Sequence, residues 1–225
     1  ATFAAVPNIY SYVDVAHAGW LGWNIDAAVD QLMQWLAAAE PLSQSEAPLL
    51  TGVATNVAEY IPLVEPYMQA LNIASSRFYN FNSFVSAIGY ARVFTDRLKA
   101  QGIPAGALID TARNGWGGVK RPQISGIGES YRLDQRCFRA DWCNHPLAGM
   151  GEFPLANPSA NDDFIHAYTW LKPPGESDGD DSVMACDSYV FDALPNSPKA
   201  SEWFEAHFLQ LVDNAWPPLA HMSSP

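Results

Sequence analysis

Hydrophobic positions along the chain alternate between a period of two and a period near 3.6, and the switches mark repeated strand–helix units. Residues 9–16 read as a strand, with Tyr10, Tyr12 and Asp14 on one face and Ile9, Val13 and Val15 on the other. A helix follows to about Ala39, capped by Asn24 or Asp26, with Val29, Leu32, Met33 and Leu36 along one side. A second strand covers 49–54, and a short helical piece is expected at 62–70. Asn82 or Ser83 caps a long helix whose apolar side carries Phe84, Ile88, Ala91 and Leu98, and Gly102 stops it. The third strand covers 105–110. From Thr111 to Pro158 periodicity nearly vanishes among many Gly and Pro residues; such long loops are uncommon unless functional or disordered. Trp116, Trp142 and Cys143 argue against disorder there. The fourth strand spans 166–171. Ser197-Pro198 then opens a last helix that turns Trp203, Phe204, Phe208 and Leu211 inward, and Pro217-Pro218 ends it. Strands alternating with helices predict an α/β fold of parallel βα units. A closed parallel barrel needs about eight strands, so these four form either an open sheet or part of a barrel.

Composition narrows the partners. With 225 residues and 48% hydrophobic content, the chain suits one core, here taken as a domain over 1–219 with an unstructured tail at 220–225. Its net charge is −12, which argues against nucleic acid and anionic membranes as partners. No apolar run reaches the roughly 18 residues of a membrane span. Charged residues are only 16% of the chain, yet there are eight Trp, nine Tyr and eleven Phe. Rings beside acidic groups suit neutral polyhydroxylated ligands, whose C–H faces stack while hydroxyls seek carboxylates; core packing explains many rings equally well. No cofactor and no metal is called for, because none of the three cysteines sits in a metal-type pair. Cys143 and Cys186 flank the charged turn described next and are expected to pair. The closed loop of about 42 residues would add on the order of 3–4 kcal/mol. Cys137 is left over, although it lies close enough to compete.

The candidate chemistry gathers where the fourth strand ends. Pro173, Pro174 and Gly175 break any helix and force a turn, which delivers Lys172, Glu176 and Asp178 just past the carboxyl end of the strand. That end is where parallel α/β folds bind substrates. A lysine beside two carboxylates suits acid–base chemistry, since the cation favours one ionised carboxylate while burial raises the proton affinity of another. The plain alternative is a solvated turn with incidental charges. Gly175-Glu176-Ser177-Asp178-Gly179 also fits the G-x-S-x-G nucleophile elbow, with Asp192 and His207 following in the right order for a serine esterase. Against that, 178–182 is a poor helix interior, and an elbow runs straight into a helix. Elsewhere, the first strand exits into a loop holding His17, Trp20 and Trp23, the second exit places Asn56, and the third places Asp110 and Arg113.

Several stretches together resemble glycoside hydrolase family 6, the cellobiohydrolase and endoglucanase family. They are Tyr12-Val13-Asp14-Val15-Ala16-His17-Ala18-Gly19-Trp20-Leu21-Gly22-Trp23, Ala54-Thr55-Asn56-Val57-Ala58, 109–115, Trp142-Cys143-Asn144 and 172–179, in the family's order over nearly the whole chain. Trp116-Gly117-Gly118 and Lys172-Pro173-Pro174 look most like bacterial exo-acting members. The resemblance implies the later four strands of a distorted, seven-stranded TIM-like barrel, and hydrolysis of β-1,4-glucosidic bonds in cellulose with inversion. It implies Asp178 as catalytic base, with Arg113 and Lys172 as its charge partners. Trp142, Lys172 and Glu176 would line sugar sites on the non-reducing side, His17, Trp20 and Trp23 those beyond the scissile bond, and Asn56 the sugars between. The family's proton donor is an aspartate of the earlier half-barrel, and no stretch of this sequence matches its segment. The implied protein is secreted, monomeric, and bound to cellulose or cello-oligosaccharides, although residues 1–6 lack the basic start of a signal peptide. A non-catalytic glucan-binding remnant is the second reading.

Overall fold

Short runs of small and β-branched residues build the sheet in order: Tyr12–Asp14 (β1), Gly52–Thr55 (β2), Gly106–Asp110 (β3), Leu155–Ala156 (β4) and Ile165–Thr169 (β5). The computed structural model describes residues 8–40, 48–68, 81–180 and 193–219, with Phe3, Val6, Ala74, Ser76 and Phe78. The sheet order is β1-β2-β3-β5-β4, parallel throughout except that β4 runs antiparallel to β5. Gly52 faces Gly106 across the β2–β3 register, and a side chain on Gly52 would strike the Gly106 carbonyl. The centre of the sheet is close-packed because nothing larger fits there.

The α-helices among the described residues are Ala18–Leu21 (α1), Ile25–Ala39 (α2), Ala87–Ala100 (α3) and Glu205–Asp213 (α4). Val29 and Leu32 of α2, and Tyr90, Phe94 and Leu98 of α3, bury against Val53, Ile109 and Ile165 of the strands. This is the expected cover of a parallel sheet, whose strands read as continuous apolar runs because helices lie on them. A second cluster joins Tyr60, Trp116, Leu133 and Met150 to Leu211 of α4, so the long loop packs a core without regular structure.

The four parallel strands expected from the sequence are all present. Three expectations about helices change. Residues 62–68 form no helix, because the carbonyls of Pro62 and Leu63 accept the N–H groups of Ala87 and Ile88 at the start of α3. The long helix starts later than 82, since Asn82 accepts from Phe84 N–H while Ser86 supplies the cap by accepting from Gly89 N–H at 3.2 Å. Gly102, at φ 84°, does end it. The last helix starts only at Glu205, and Trp203 is 57% exposed rather than turned inward. Phe204 N–H donates to Gly175 O at 2.7 Å, which holds Trp203 and Phe204 beside the 175–177 turn and out of the helix. The expected tail at 220–225 lies outside the described residues.

Candidate active site

Two strand exits create the site. β3 ends at Asp110 and turns to bring Arg113 inward, and β5 leads into the 172–178 turn. Asp110 ties the exits together by accepting from Ala112 N–H and Lys172 N–H, both at 2.8 Å. It is buried, and burial raises its pKa to about 6. Gly175 sits at φ 88°, a conformation a side chain would strain, and the chain reverses there toward Ser177 and Asp178.

Asp178 collects most of the site's charge. Its Oδ2 accepts from Arg113 Nη1 at 2.6 Å and from the Tyr60 hydroxyl at 2.7 Å, while Lys172 Nζ lies 3.5 Å from Oδ1. Its backbone N–H donates to Asn144 Oδ1 at 3.0 Å, and only 4% of its side chain is exposed. Lys172 also holds Glu176 at 2.9 Å, and that hydrogen bond keeps the Glu176 pKa below the ordinary carboxylate value. Folding thus brings together four residues that the sequence singles out: Asp178, Arg113, Lys172 and Glu176.

Two members of this shell were not legible beforehand. Tyr60 is fully buried, with the Arg113 guanidinium 4.4 Å above its ring centroid. Burial, opposed by Arg113 and aided by Asp178, raises its pKa, so it stays a hydroxyl donor. Asn144 reads the turn at three points: Oδ1 accepts from Asp178 N–H, and Nδ2 donates to Ser177 Oγ at 3.0 Å and to Gly179 O at 3.2 Å. Ser177 in turn donates to the Pro198 carbonyl at 2.8 Å. Its hydroxyl is held by backbone and amide rather than by a histidine, and Asp192 lies outside the described residues.

The exit of β1 forms a neighbouring patch. His17 is buried, accepts from Gly19 N–H at Nδ1 (3.1 Å), and places Nε2 2.9 Å from Glu59 Oε2. Burial pushes the Glu59 pKa up, but Arg136 and His17 outweigh it and hold it below the ordinary range. Arg136, itself fully buried, also grips Asp134 at 2.7 Å. Trp20 packs against His17 with ring centroids 5.2 Å apart and planes tilted by 45°, and both Trp20 and Trp23 are exposed. Trp142 is half-buried against Cys143 and Ala193. Asn56 departs from its expected role: it is 1% exposed, and its Nδ2 donates to the carbonyls of Ile61 (3.1 Å) and Asp110 (3.0 Å). Its side chain therefore braces the floor between β2 and β3 and offers no surface to a sugar. Cys143 is buried and disulfide-bonded, whereas Cys137 is exposed; Cys186, the expected partner, lies outside the described residues. Among the described residues no three potential metal ligands gather.

Beneath Tyr60 lie two buried histidines, with ring centroids 6.4 Å (His145) and 6.3 Å (His207) from it. Burial, reinforced by nearby guanidinium charge, depresses both pKa values to about 3. An unfolded histidine titrates near 6.5, so each binds a proton in the unfolded chain before the folded one. Stability is therefore lost as pH falls from about 6.5 toward 3. Neither ring nitrogen of His207 has a hydrogen-bond partner among the described residues. His207→Phe is expected to flatten this acid limb, losing less stability than the parent between pH 7 and pH 4 in thermal melts. An unchanged limb would show that His207 does not carry it.

Comparison with known proteins agrees with this geometry. A family model described as Glycosyl hydrolases family 6 matches residues 1–215. Exoglucanase A of Cellulomonas fimi is 35% identical over 95% of this chain and 28% of the relative. Exoglucanase-6A of Humicola insolens is 34% identical over 95% of the chain and 40% of the relative. Among solved structures, the catalytic domain of Cellulomonas fimi Cel6B superposes with a TM-score of 0.82 at 35% identity, covering 97% of this chain and 57% of that one. Cellobiohydrolase II (Cel6A) from Humicola insolens, in complex with glucose and cellotetraose, gives 0.70 at 29% identity, covering 95% and 53%. The chain thus spans less than half of these two curated relatives and slightly more than half of the solved domains.

Proposed function

The chain belongs to the Glycosyl hydrolases family 6, and from that premise we propose that it carries the base side of an inverting, cellobiohydrolase-type site for β-1,4-glucan. The observation that supports this most is the buried Asp178 carboxylate, gripped on one oxygen by Arg113 and Tyr60. Oδ2 is saturated, so Oδ1, with only Lys172 beside it at 3.5 Å, is the oxygen left to take a proton from an attacking water. Lys172 and Glu176 at the cleft edge offer a donor and an acceptor to sugar hydroxyls, with Trp142 as a ring platform on the same side. Trp20 and Trp23 offer exposed rings to the sugars on the leaving side. His17 backs Trp20.

Inversion needs a second carboxyl group, about 6.5–9.5 Å from the first, to protonate the leaving oxygen. Asp110 has the raised pKa for such a role but is 2% exposed and spends its oxygens on backbone N–H groups. We assign the donor to a segment outside the motifs matched here, with the strands of this chain as the later part of a TIM-like barrel. Residues 1–225 alone are then expected to turn over cellulose roughly 10²–10⁴-fold more slowly than a site with both groups. The protein acts outside the cell, on cellulose or cello-oligosaccharides, as its cellulolytic relatives suggest. A Cys143–Cys186 disulfide would then tie the long loop to the chain beyond Asp178. Peptide mapping without reductant tests the pairing, and a Cys137–Cys186 link would overturn it.

Cellobiose release by the purified chain, compared with its Asp178→Asn variant, tests the whole reading. Slow, Asp178-dependent release supports it. Oligosaccharide binding without any release favours the remnant reading, which the exposed Trp20 and Trp23 support. Labelling of Ser177 by a serine-directed phosphonate would favour an esterase instead.

A further inference from the structure

Trp203 is a large exposed ring that the site as described does not use. Its strip of chain is fixed by a short ladder: Ser177 N–H donates to Glu202 O at 2.8 Å, Ser201 N–H to Ser177 O at 3.0 Å, and Phe204 N–H to Gly175 O at 2.7 Å. The ladder sets Trp203 directly opposite Glu176 in an antiparallel bridge. Opposed residues in such a pair project to the same side, so the indole and the Glu176 carboxylate share a face. From Glu176 the contacts run through Lys172, at 2.9 Å, to Asp178, at 3.5 Å from the same ammonium. The indole therefore extends a strip that begins at the candidate catalytic carboxylate and leads outward.

The ring is also held in place. Gly175 has no side chain, and one added there would collide with the edge of the indole. Phe208 supports the ring from α4, with centroids 5.0 Å apart and planes at 44°. What is fixed against protein is one part of the ring, and 57% of the residue remains open to water. An immobilised indole with an open face loses little conformational freedom on binding, and it presents apolar area that water hydrates poorly. Glu176 beside it supplies an acceptor for hydroxyls at the rim of a ring lying on that face.

We propose that Trp203 is a stacking platform for a pyranose ring of a β-linked glucan, placed beyond the sugar met by Lys172 and Glu176. The proposal rests on the glucan-binding reading above and extends that surface by one further position. It commits to neutral, β-linked sugar, because the C–H face of such a ring is flat and apolar while its equatorial hydroxyls reach the Glu176 side.

Isothermal titration of the chain, Trp203→Ala and Trp203→Phe with cellobiose and cellohexaose is the test. Cellohexaose has enough rings to cover Trp203 together with the sites at Asp178, Lys172 and Glu176, whereas cellobiose has too few to cover them all. Taking base-on-ring stacking as the analogue, Trp203→Ala is expected to weaken cellohexaose about tenfold, Trp203→Phe by less, and cellobiose not at all. Unchanged cellohexaose affinity in Trp203→Ala would overturn the platform while leaving the glucan reading intact. An equal loss for both sugars, not rescued by Phe, would make Trp203 a prop for the 175–177 turn and also overturn it. If the parent chain binds neither sugar, the glucan reading fails and the platform with it.

Discussion

Asp178→Asn is expected to lower the rate of cellobiose release by roughly 10²–10⁴-fold in any form of the protein with measurable turnover. The substitution keeps the size of the side chain and removes its charge. It also forces an amide –NH2 into a shell already made of donors: Arg113 Nη1 and the Tyr60 hydroxyl on one side, Lys172 Nζ on the other. Whichever way the amide is turned, one donor faces another. The oxygen that would take a proton from water is lost or becomes a weak base. Ser177→Ala, by contrast, removes a hydroxyl that only links Asn144, Gly179 and the Pro198 carbonyl. It is expected to retain far more activity, with its cost appearing in stability. A reversed ranking, with Ser177→Ala inactive and Asp178→Asn active, would sink the glycosidase mechanism.

The second large effect concerns stability. Arg113→Met is expected to destabilise the fold by about 3–5 kcal/mol, measured as a shift in the denaturation midpoint, because it strands a buried carboxylate. Arg113 is 1% exposed; burial pulls its pKa down, but Asp178 and Tyr60 outweigh that and hold it above the usual value. The guanidinium also covers the Tyr60 ring, so packing is lost with the charge. Adding Asp178→Asn to Arg113→Met should recover part of the loss, since the stranded charge goes with it. The exposed pair of Arg97 with Asp26, at 2.6 Å, is the internal comparison. Its removal should cost about 0–1 kcal/mol despite the same distance. A cost for Arg113→Met in that small range would show that Asp178 is solvated in the working protein.

The strands were legible because parallel βα units write themselves as short apolar runs between amphipathic helices. The charged turn was legible for a similarly local reason, as Pro173, Pro174 and Gly175 leave few other conformations for Lys172 to Asp178. Tyr60 and Asn144 left no such trace. Tyr60 lies 118 residues from the carboxylate it donates to and follows Asn56 and Ala58, both at positive φ. Asn144 sits in the long loop, where neither period applies, and reaches Asp178 across 34 residues. Pairing at such distances depends on tertiary packing, which propensity does not encode. The misplaced start of the last helix has a related origin: the 3.6-residue pattern extends back through Trp203, but the Gly175 carbonyl claims the Phe204 N–H. Long-range hydrogen bonds there override the local pattern. An asparagine at a strand exit looks the same in sequence whether it faces a ligand or, as Asn56 does, the carbonyls of the floor.

The contacts of His17 fix the patch at the β1 exit to the protein beneath it. Nδ1 accepts the backbone N–H of Gly19, and Nε2 lies 2.9 Å from Glu59 Oε2. Both nitrogens thus lie beside groups of the protein, Nδ1 at the Gly19 amide and Nε2 at the Glu59 carboxylate. Beside the imidazole lies the exposed indole of Trp20, with its centroid 5.2 Å away. Asparagine at this position would reproduce the Nδ1 acceptor and glutamine the reach to Glu59, but neither would reproduce both. On the proposed glucan-binding reading, a sugar resting there would meet the Trp20 indole through its C–H face rather than the imidazole nitrogens.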